Sequence, residues 1–243
     1  MTTVLSIAGS DSSGNAGIQA DIKTFEALGV RCLTAVTAIT AQSKTAVFGA
    51  YPVASDILSQ QLGSVSSETI DAIKIGMILT SSNVHAIKLF LGSRKPLHVV
   101  IDTVFSSTSG TPLIEPQAMK PFKEELLPMA SLITPNLLEA GALTGMRIWN
   151  LGTMKEAARR VFDETGKAVL VKGGHVEGEP VDVLYDGKIW KEFNGKRIVA
   201  AGRRGTGCRL SSAIAAFLAN GEPLDAAIAN AKKFVESYLS GKD

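Results

Sequence analysis

A chain of 243 residues, 45% of them hydrophobic, has room for one large α/β domain or two small ones and enough apolar side chains for a sizeable core. Its 25 basic and 23 acidic residues leave a formal net charge of +2, a near balance that points to neither nucleic acid nor an acidic partner. Two cysteines, Cys32 and Cys208, are too few for a disulfide framework, and His85, His98 and His175 make no metal-ligand spacing with them.

Short β-rich runs alternate with helical patterns from one end to the other. Strand Val4–Ala8 precedes helix Gly17–Leu28. Strand Leu33–Thr40 precedes helix Ser55–Val65, Ala72–Ile75 precedes Ser82–Leu91, and His98–Asp102 precedes Pro116–Leu126. Strand Leu132–Thr134 is followed by helices Leu137–Leu143 and Met154–Glu164. Strands Ala168–Lys172, Val181–Tyr185 and Ile189–Phe193 come next, and helices Thr206–Ala219 and Leu224–Leu239 end the series. Such alternation predicts an α/β fold with parallel βαβ units and helices on both sheet faces. Asp186-Gly187 is a hairpin signal, so one sheet edge is expected to be antiparallel. No repeat, low-complexity tract or linker interrupts residues 1–243, which reads as one domain. The apolar runs are strand-sized, far below the ~18 residues of a membrane span. The start lacks a basic region followed by a long apolar stretch, so no signal peptide and a cytoplasmic location are expected.

Four motifs carry possible chemistry. Ala8-Gly9-Ser10-Asp11-Ser12-Ser13-Gly14-Asn15-Ala16-Gly17 joins the first strand to the first helix. It is neither a Walker A loop nor a dinucleotide fingerprint. It offers backbone amides to a polar ligand, or it is simply a turn capped by Asp11 or Ser12, the reading that spacing slightly favours. Thr134-Pro135-Asn136-Leu137-Leu138-Glu139 puts an amide and a carboxylate on one side of a helix start. That pair suits Mg²⁺, but on spacing alone a capping box is the stronger reading. Val171-Lys172-Gly173-Gly174-His175 ends a strand with a lysine able to reach a phosphate or to sit in solvent. Asp102 ends another strand, to hold a metal or a base or simply to close it. Gly205-Thr206-Gly207-Cys208 opens a helix with small residues, so its amides and dipole favour an anion. Cys208 in that first turn is expected to have a lowered pKa and to act as a base; the alternative is a buried cysteine behaving as a small hydrophobe.

Together these strings, with Thr37-Ala38-Ile39-Thr40-Ala41-Gln42 and Lys74-Ile75-Gly76-Met77, resemble the hydroxymethylpyrimidine kinase / phosphomethylpyrimidine kinase family of thiamine biosynthesis, within the ribokinase-like superfamily. The resemblance spans about Val4 to Phe234. It implies a ribokinase-like fold, ATP with Mg²⁺ as phosphoryl donor, and the hydroxymethyl group of 4-amino-5-hydroxymethyl-2-methylpyrimidine as acceptor, then its monophosphate. It also implies a homodimer. By position, Gln42 matches the residue that reads the pyrimidine edge, and Ala16, Asp21, Met77 and Val104 match the ring pocket wall. Gly205, Thr206 and Gly207 match the anion hole and Cys208 the base. Asp102, Asn136 and Glu139 fall where the family manages Mg²⁺ and phosphate, and Lys172 falls at its nucleotide-phosphate lysine.

The chain departs from the family pattern at several positions. Thr103 stands where Pro is common, Thr108 where Lys is common, and Arg203-Arg204 where Thr-His is common. Loss of the lysine removes a phosphate contact that the two arginines are suited to replace. The chain also ends at Asp243, earlier than most members. These changes bear on the second phosphorylation and the exact substrate. Two other expectations stand beside the pyrimidine kinase: a vitamin B6 kinase, whose substrate also carries a hydroxymethyl group on an aromatic ring, and a non-catalytic pyrimidine-binding relative.

Overall fold

Strict alternation of side chains along short strands decides how this protein layers. In the computed structural model, which describes residues 1–43, 45–94, 98–107, 109–174, 179–198 and 205–241, nine strands form one sheet. They are β1 (Thr3–Asp11), β2 (Arg31–Gln42), β3 (Val47–Pro52), β4 (Ala72–Ile75), β5 (His98–Ile101), β6 (Leu132–Ile133), β7 (Ala168–Val171), β8 (Val181–Tyr185) and β9 (Trp190–Asn194). Their spatial order is β3-β2-β1-β4-β5-β6-β7-β8-β9. In that spatial order the strands from β2 across to β7 run parallel, while β3 pairs antiparallel with β2 on one edge and, on the other, β8 pairs antiparallel with both β7 and β9. The chain leaves β1 toward β2 on one side and returns to β4 on the other, so the order reverses at β1. In open α/β sheets ligands bind beyond the carboxyl ends of the strands at such a reversal.

The helices are α1 (Gly17–Ala27), α2 (Ser55–Ser64), α3 (Ser81–Gly92), α4 (Pro116–Pro121), α5 (Leu137–Thr144), α6 (Leu151–Thr165), α7 (Thr206–Ala219) and α8 (Leu224–Ser240). Leu5, Ile7, Ile73, Ile75, Ile101 and Ile133 face α2 to α6 and make the larger core. The alternate residues Val4, Ala72, Val100, Leu132 and Leu170 face α1, α7 and α8. Stepping two residues further along each strand of this second face reaches Ser6, Lys74, Asp102, Thr134 and Lys172. One polar row thus crosses the sheet at its carboxyl edge, beneath α1 and α7.

The expected elements all appear, with ends differing by at most about three residues. The Asp186-Gly187 hairpin forms, with Tyr185 opposite Trp190 and the Asp186 carboxylate accepting the amides of Lys188 and Ile189. Strand β3 was not expected: Val47-Phe48-Gly49-Ala50-Tyr51-Pro52 contains Gly and Pro, which argue against a strand except at an edge, and an edge is where it lies. The predicted helix Pro116–Leu126 divides. It is α-helical to Pro121, which brings no amide, and Phe122–Leu126 continue as a wider π-helical turn.

Candidate active site

The carboxyl edge of the sheet opens into a cavity of about 500 Å³, lined by β-strand ends, the start of α7 and one side of α8. Gly205 begins α7. Its backbone is left-handed (φ +75°), and an added Cβ would sit 2.0 Å from the Asn15 carbonyl oxygen. Only glycine meets both constraints. Among the described residues no side chain caps this 14-residue helix, so the amides of Thr206, Gly207 and Cys208 suit a ligand, and all three residues line the cavity.

Cys208 lies in the first turn of α7. The thiol is nevertheless pushed up to about 11, the reverse of the expected lowering. Burial is the main cause, with Asp102 and Asp21 adding to it, and it outweighs the opposing Lys74 charge and the Gly17 amide bond.

Beside this turn, Lys172 bonds Asp102 Oδ1 at 2.6 Å and lies 4.0 Å from Glu139 Oε2. Thr134 and Ser211 also donate to the Asp102 carboxylate. Burial opposes ionisation of Asp102, but the Lys172 and Lys74 cations hold its pKa below the usual carboxylate range. Burial pushes Glu139 up to about 7 despite Lys172. Burial alone would depress Lys172, but the two carboxylates raise it. A lysine reaching for solvent is therefore not what stands here: Lys172 is 12% exposed and points into the cluster.

At the start of α5 the Thr134–Glu139 motif forms the capping box that its spacing favoured. Asn136 Oδ1 accepts the Glu139 amide while Glu139 Oε2 accepts the Asn136 amide, a reciprocal capping box. Thr103, where the family commonly has Pro, donates its hydroxyl to the same Glu139 oxygen at 3.0 Å. Asn136 and Glu139 both line the cavity.

The β1–α1 loop is a turn rather than an open set of amides. The Asp11 carboxylate accepts the backbone amides of Ser13, Asn15 and Ala16. Gly17 is required here as well, since at φ +56° its added Cβ would meet the Gly9 carbonyl oxygen at 2.3 Å. Ser12 Oγ donates to the Gln42 carbonyl at 2.8 Å and accepts the Gln42 amide at 2.9 Å, and so fixes Gln42 at the end of β2.

Of the residues expected in a site, Ala16, Gln42, Val104, Asp102, Asn136, Glu139, Lys172 and Gly205 to Cys208 all line one cavity. Two expected wall residues do not. Asp21 is fully buried on α1, where it accepts two bonds from Lys74 and one each from Ser6 and Ser212. Its four acceptor positions are thereby used, and none is left for a ring. Met77 packs with Ala38, Leu79 and Leu113 behind Val104, so it backs the wall rather than forming it. Arg203, Arg204, Thr108 and His175 lie outside the described residues.

Three features escaped sequence reasoning. Lys74 sits inside an apolar strand, and only the alternation count across strands places it in the polar row. Lys232 on α8 pairs with Asp182 at 2.5 Å at the far end of the cavity, and Asp182 Oδ1 accepts the Gly173 amide. Leu210, Val235 and Leu239 make an apolar stretch beside them.

The family model for phosphomethylpyrimidine kinase matches residues 11–242. A hydroxymethylpyrimidine/phosphomethylpyrimidine kinase from Rhizobium meliloti (strain 1021) is 43% identical, over 100% of this chain and 92% of its own. The chain spans about half the length (49%) of a thiamine biosynthesis bifunctional protein from Geobacter sulfurreducens, to which it is 42% identical over 98% of its own length. Among solved structures, phosphomethylpyrimidine kinase from Clostridium difficile 630 superposes with TM-score 0.87 at 37% identity, covering 98% of this chain and 100% of that one. The pyridoxal kinase of Staphylococcus aureus in complex with ADP reaches 0.91 at 33% identity, covering 98% and 88%. The architecture is ribokinase-like, and with its uncapped helix start, its lysine–carboxylate cluster and this full-length likeness, the chain belongs to the phosphomethylpyrimidine kinase family.

Proposed function

We propose that this protein transfers the γ-phosphoryl group of ATP to the hydroxymethyl group of 4-amino-5-hydroxymethyl-2-methylpyrimidine, and then phosphorylates the monophosphate, within thiamine biosynthesis. The observation that carries this reading is the uncapped start of α7 facing the same cavity as Cys208 and the Lys172–Asp102 pair. Phosphoryl transfer requires charge neutralisation and in-line alignment more than covalent help. The amides of Thr206, Gly207 and Cys208 suit the transferring group, and Lys172 suits a nucleotide phosphate, with Arg204 expected to assist. Gln42, Ala16 and Val104 suit the ring. The apolar stretch of Leu210, Val235 and Leu239 suits the nucleotide base.

Asp102 and Glu139 fit Mg²⁺ in chemistry, being two buried carboxylates with oxygen donors only. Among the described residues no cluster of three or more metal-binding side chains exists. That fits an ion which takes one or two carboxylates and otherwise keeps waters and phosphate oxygens. Bound there, Mg²⁺ would neutralise phosphate charge. The protein residues do the rest: Lys172 balances the carboxylates, Asn136 and Thr103 hold Glu139 in place, and Cys208, once ionised to the thiolate, receives the hydroxyl proton.

The reading further includes one kinase domain, a homodimer and a cytoplasmic location. No described helix is long and apolar enough to cross a membrane. Product analysis with ATP, Mg²⁺ and the pyrimidine alcohol tests the whole. Monophosphate followed by diphosphate is expected, with Cys208→Ala losing turnover; ring binding without any phosphorylated product would overturn it. The structural likeness to a pyridoxal kinase supports one alternative, a vitamin B6 kinase. Parallel kinetics on both alcohols separate the two, a tenfold preference corresponding to about 1.4 kcal/mol in transition-state binding.

A further inference from the structure

Helical spacing decides which side chains α8 turns toward the cavity. Lys232, Val235, Glu236 and Leu239 recur at intervals of three and four residues, and all four line it. Val235 and Leu239, with Leu210 of α7, make the apolar strip, and an ammonium and a carboxylate stand beside it. Gly195 leaves room for both charged heads: a Cβ there would lie 3.5 Å from Lys232 Nζ and 3.1 Å from Glu236 Oε1.

The two charges are not equally occupied. Glu236 Oε1 accepts the Lys196 amide. The Lys232 ammonium carries three donors, and among the described residues its one hydrogen bond goes to Asp182 Oδ2 at 2.5 Å. The Lys232 side chain is nevertheless only 12% exposed. Asp182 is held in turn, since its other oxygen accepts the amide of Gly173, the residue after Lys172. A buried ion pair adds little net stability, because desolvation of both charges offsets their attraction. Here the pair fixes an ammonium with donors to spare at the cavity wall.

We propose that Lys232 is a specificity-determining contact for the phosphoryl donor, its ammonium donating to a ring nitrogen of the purine base. This rests on the cavity holding ATP, as the proposed reaction requires. Position assigns the ammonium to the base rather than to the phosphates. The start of α7, Lys172 and Asp102 lie together: a Cβ on Gly207 would be 3.4 Å from Lys172 Nζ and 4.0 Å from Asp102 Oδ2. Asp102 follows β5, whereas Asp182 is on β8, three places along the sheet. At the usual strand spacing that is about 14 Å, a separation that the body of a nucleotide spans from its terminal phosphate to its base. The surroundings agree with a base. The apolar strip gives a flat heterocycle a surface to pack on. An ammonium donates and does not accept, so it selects a base edge that carries an acceptor at this point.

Binding measurements test the contact without any transfer step. The Kd values of ADP, of dideoxy-ADP lacking both ribose hydroxyls, and of inorganic tripolyphosphate are measured by calorimetry with Mg²⁺ present. The wild type is compared with the double change Lys232→Met and Asp182→Asn, which leaves the net charge of the cavity unaltered and keeps an oxygen for the Gly173 amide. ADP and dideoxy-ADP are expected to bind more weakly by roughly tenfold or more, and tripolyphosphate by less than about twofold. An equal loss for tripolyphosphate would place the ammonium on the phosphates. A loss confined to ADP would place it on the ribose, and unchanged binding of all three would leave it without a ligand; each of these overturns the proposal. Where the variant fails to fold, the wild type decides with deaza analogues of ADP, in each of which carbon replaces one ring nitrogen. One of them is expected to bind about tenfold more weakly than ADP, and equal binding of all overturns the proposal. A wild type that binds neither ADP nor tripolyphosphate would overturn the ATP-dependent reaction and this contact with it.

Discussion

Single atoms decide several positions in this protein. Gly205 is the sharpest case, since its left-handed backbone and its closeness to Asn15 exclude any side chain. Gly205→Ala is expected to cost about 1–3 kcal/mol in thermal or urea unfolding, the usual range for such backbone strain. It should also reduce turnover by more than tenfold, because the α7 amides are displaced with it. Unchanged melting and turnover would show that the α7 start does not depend on this contact. The glycines and Cys208 were legible in the sequence because small residues before a helical pattern have few other uses. Asp21 was misread, and Lys74 was left without a role, for a common reason. Each has the residue type of a surface or ligand contact, and only the strand alternation and the partner on another element reveal that they satisfy one another in the core. The thiol pKa of Cys208 was misjudged because a helix dipole is visible in sequence whereas burial is not.

At the scale of elements, caps separate stability from function. Asn136 and Asn150 are both N-caps of capping boxes, on α5 and α6, but only Asn136 lines the cavity. Each change to Ala is expected to lower stability by about 1 kcal/mol. Asn150→Ala should keep turnover, whereas Asn136→Ala should reduce it, because the Glu139 carboxylate loses its orientation. Equal turnover in the two variants would reduce the Asn136–Glu139 pair to a cap alone. The strands and helices were readable because buried parallel strands are apolar runs with clear breaks between them. Strand β3 was not, since its Gly and Pro argue for a loop, and only pairing with β2 makes it a strand. The π-helical turn after Pro121 escaped for a similar reason: helical periodicity alone does not distinguish a wider turn from an ordinary one.

For the whole molecule, Ile39 and Tyr51 are exposed cross-strand partners at the β2–β3 edge, and Phe48 on the same edge strand is exposed as well. The proposed homodimer would cover them. Sedimentation equilibrium is expected to give a dimer, and Phe48→Glu with Ile39→Asp a monomer; a wild-type monomer at micromolar concentration would dismiss that arrangement. The sheet order carries a different consequence. Strand β1 precedes the other eight strands in the chain but lies inside the sheet, third in the spatial order, and the helices over its Ser6 face include α7, which follows all nine strands. Until α7 emerges from the ribosome, Lys74 and Asp21 remain open to water and Val4, Val100 and Leu132 lack part of their cover. A chain still lacking α7 and α8 must therefore hold an unfinished apolar face while its charged pair is hydrated, and those two helices close both the core and the site.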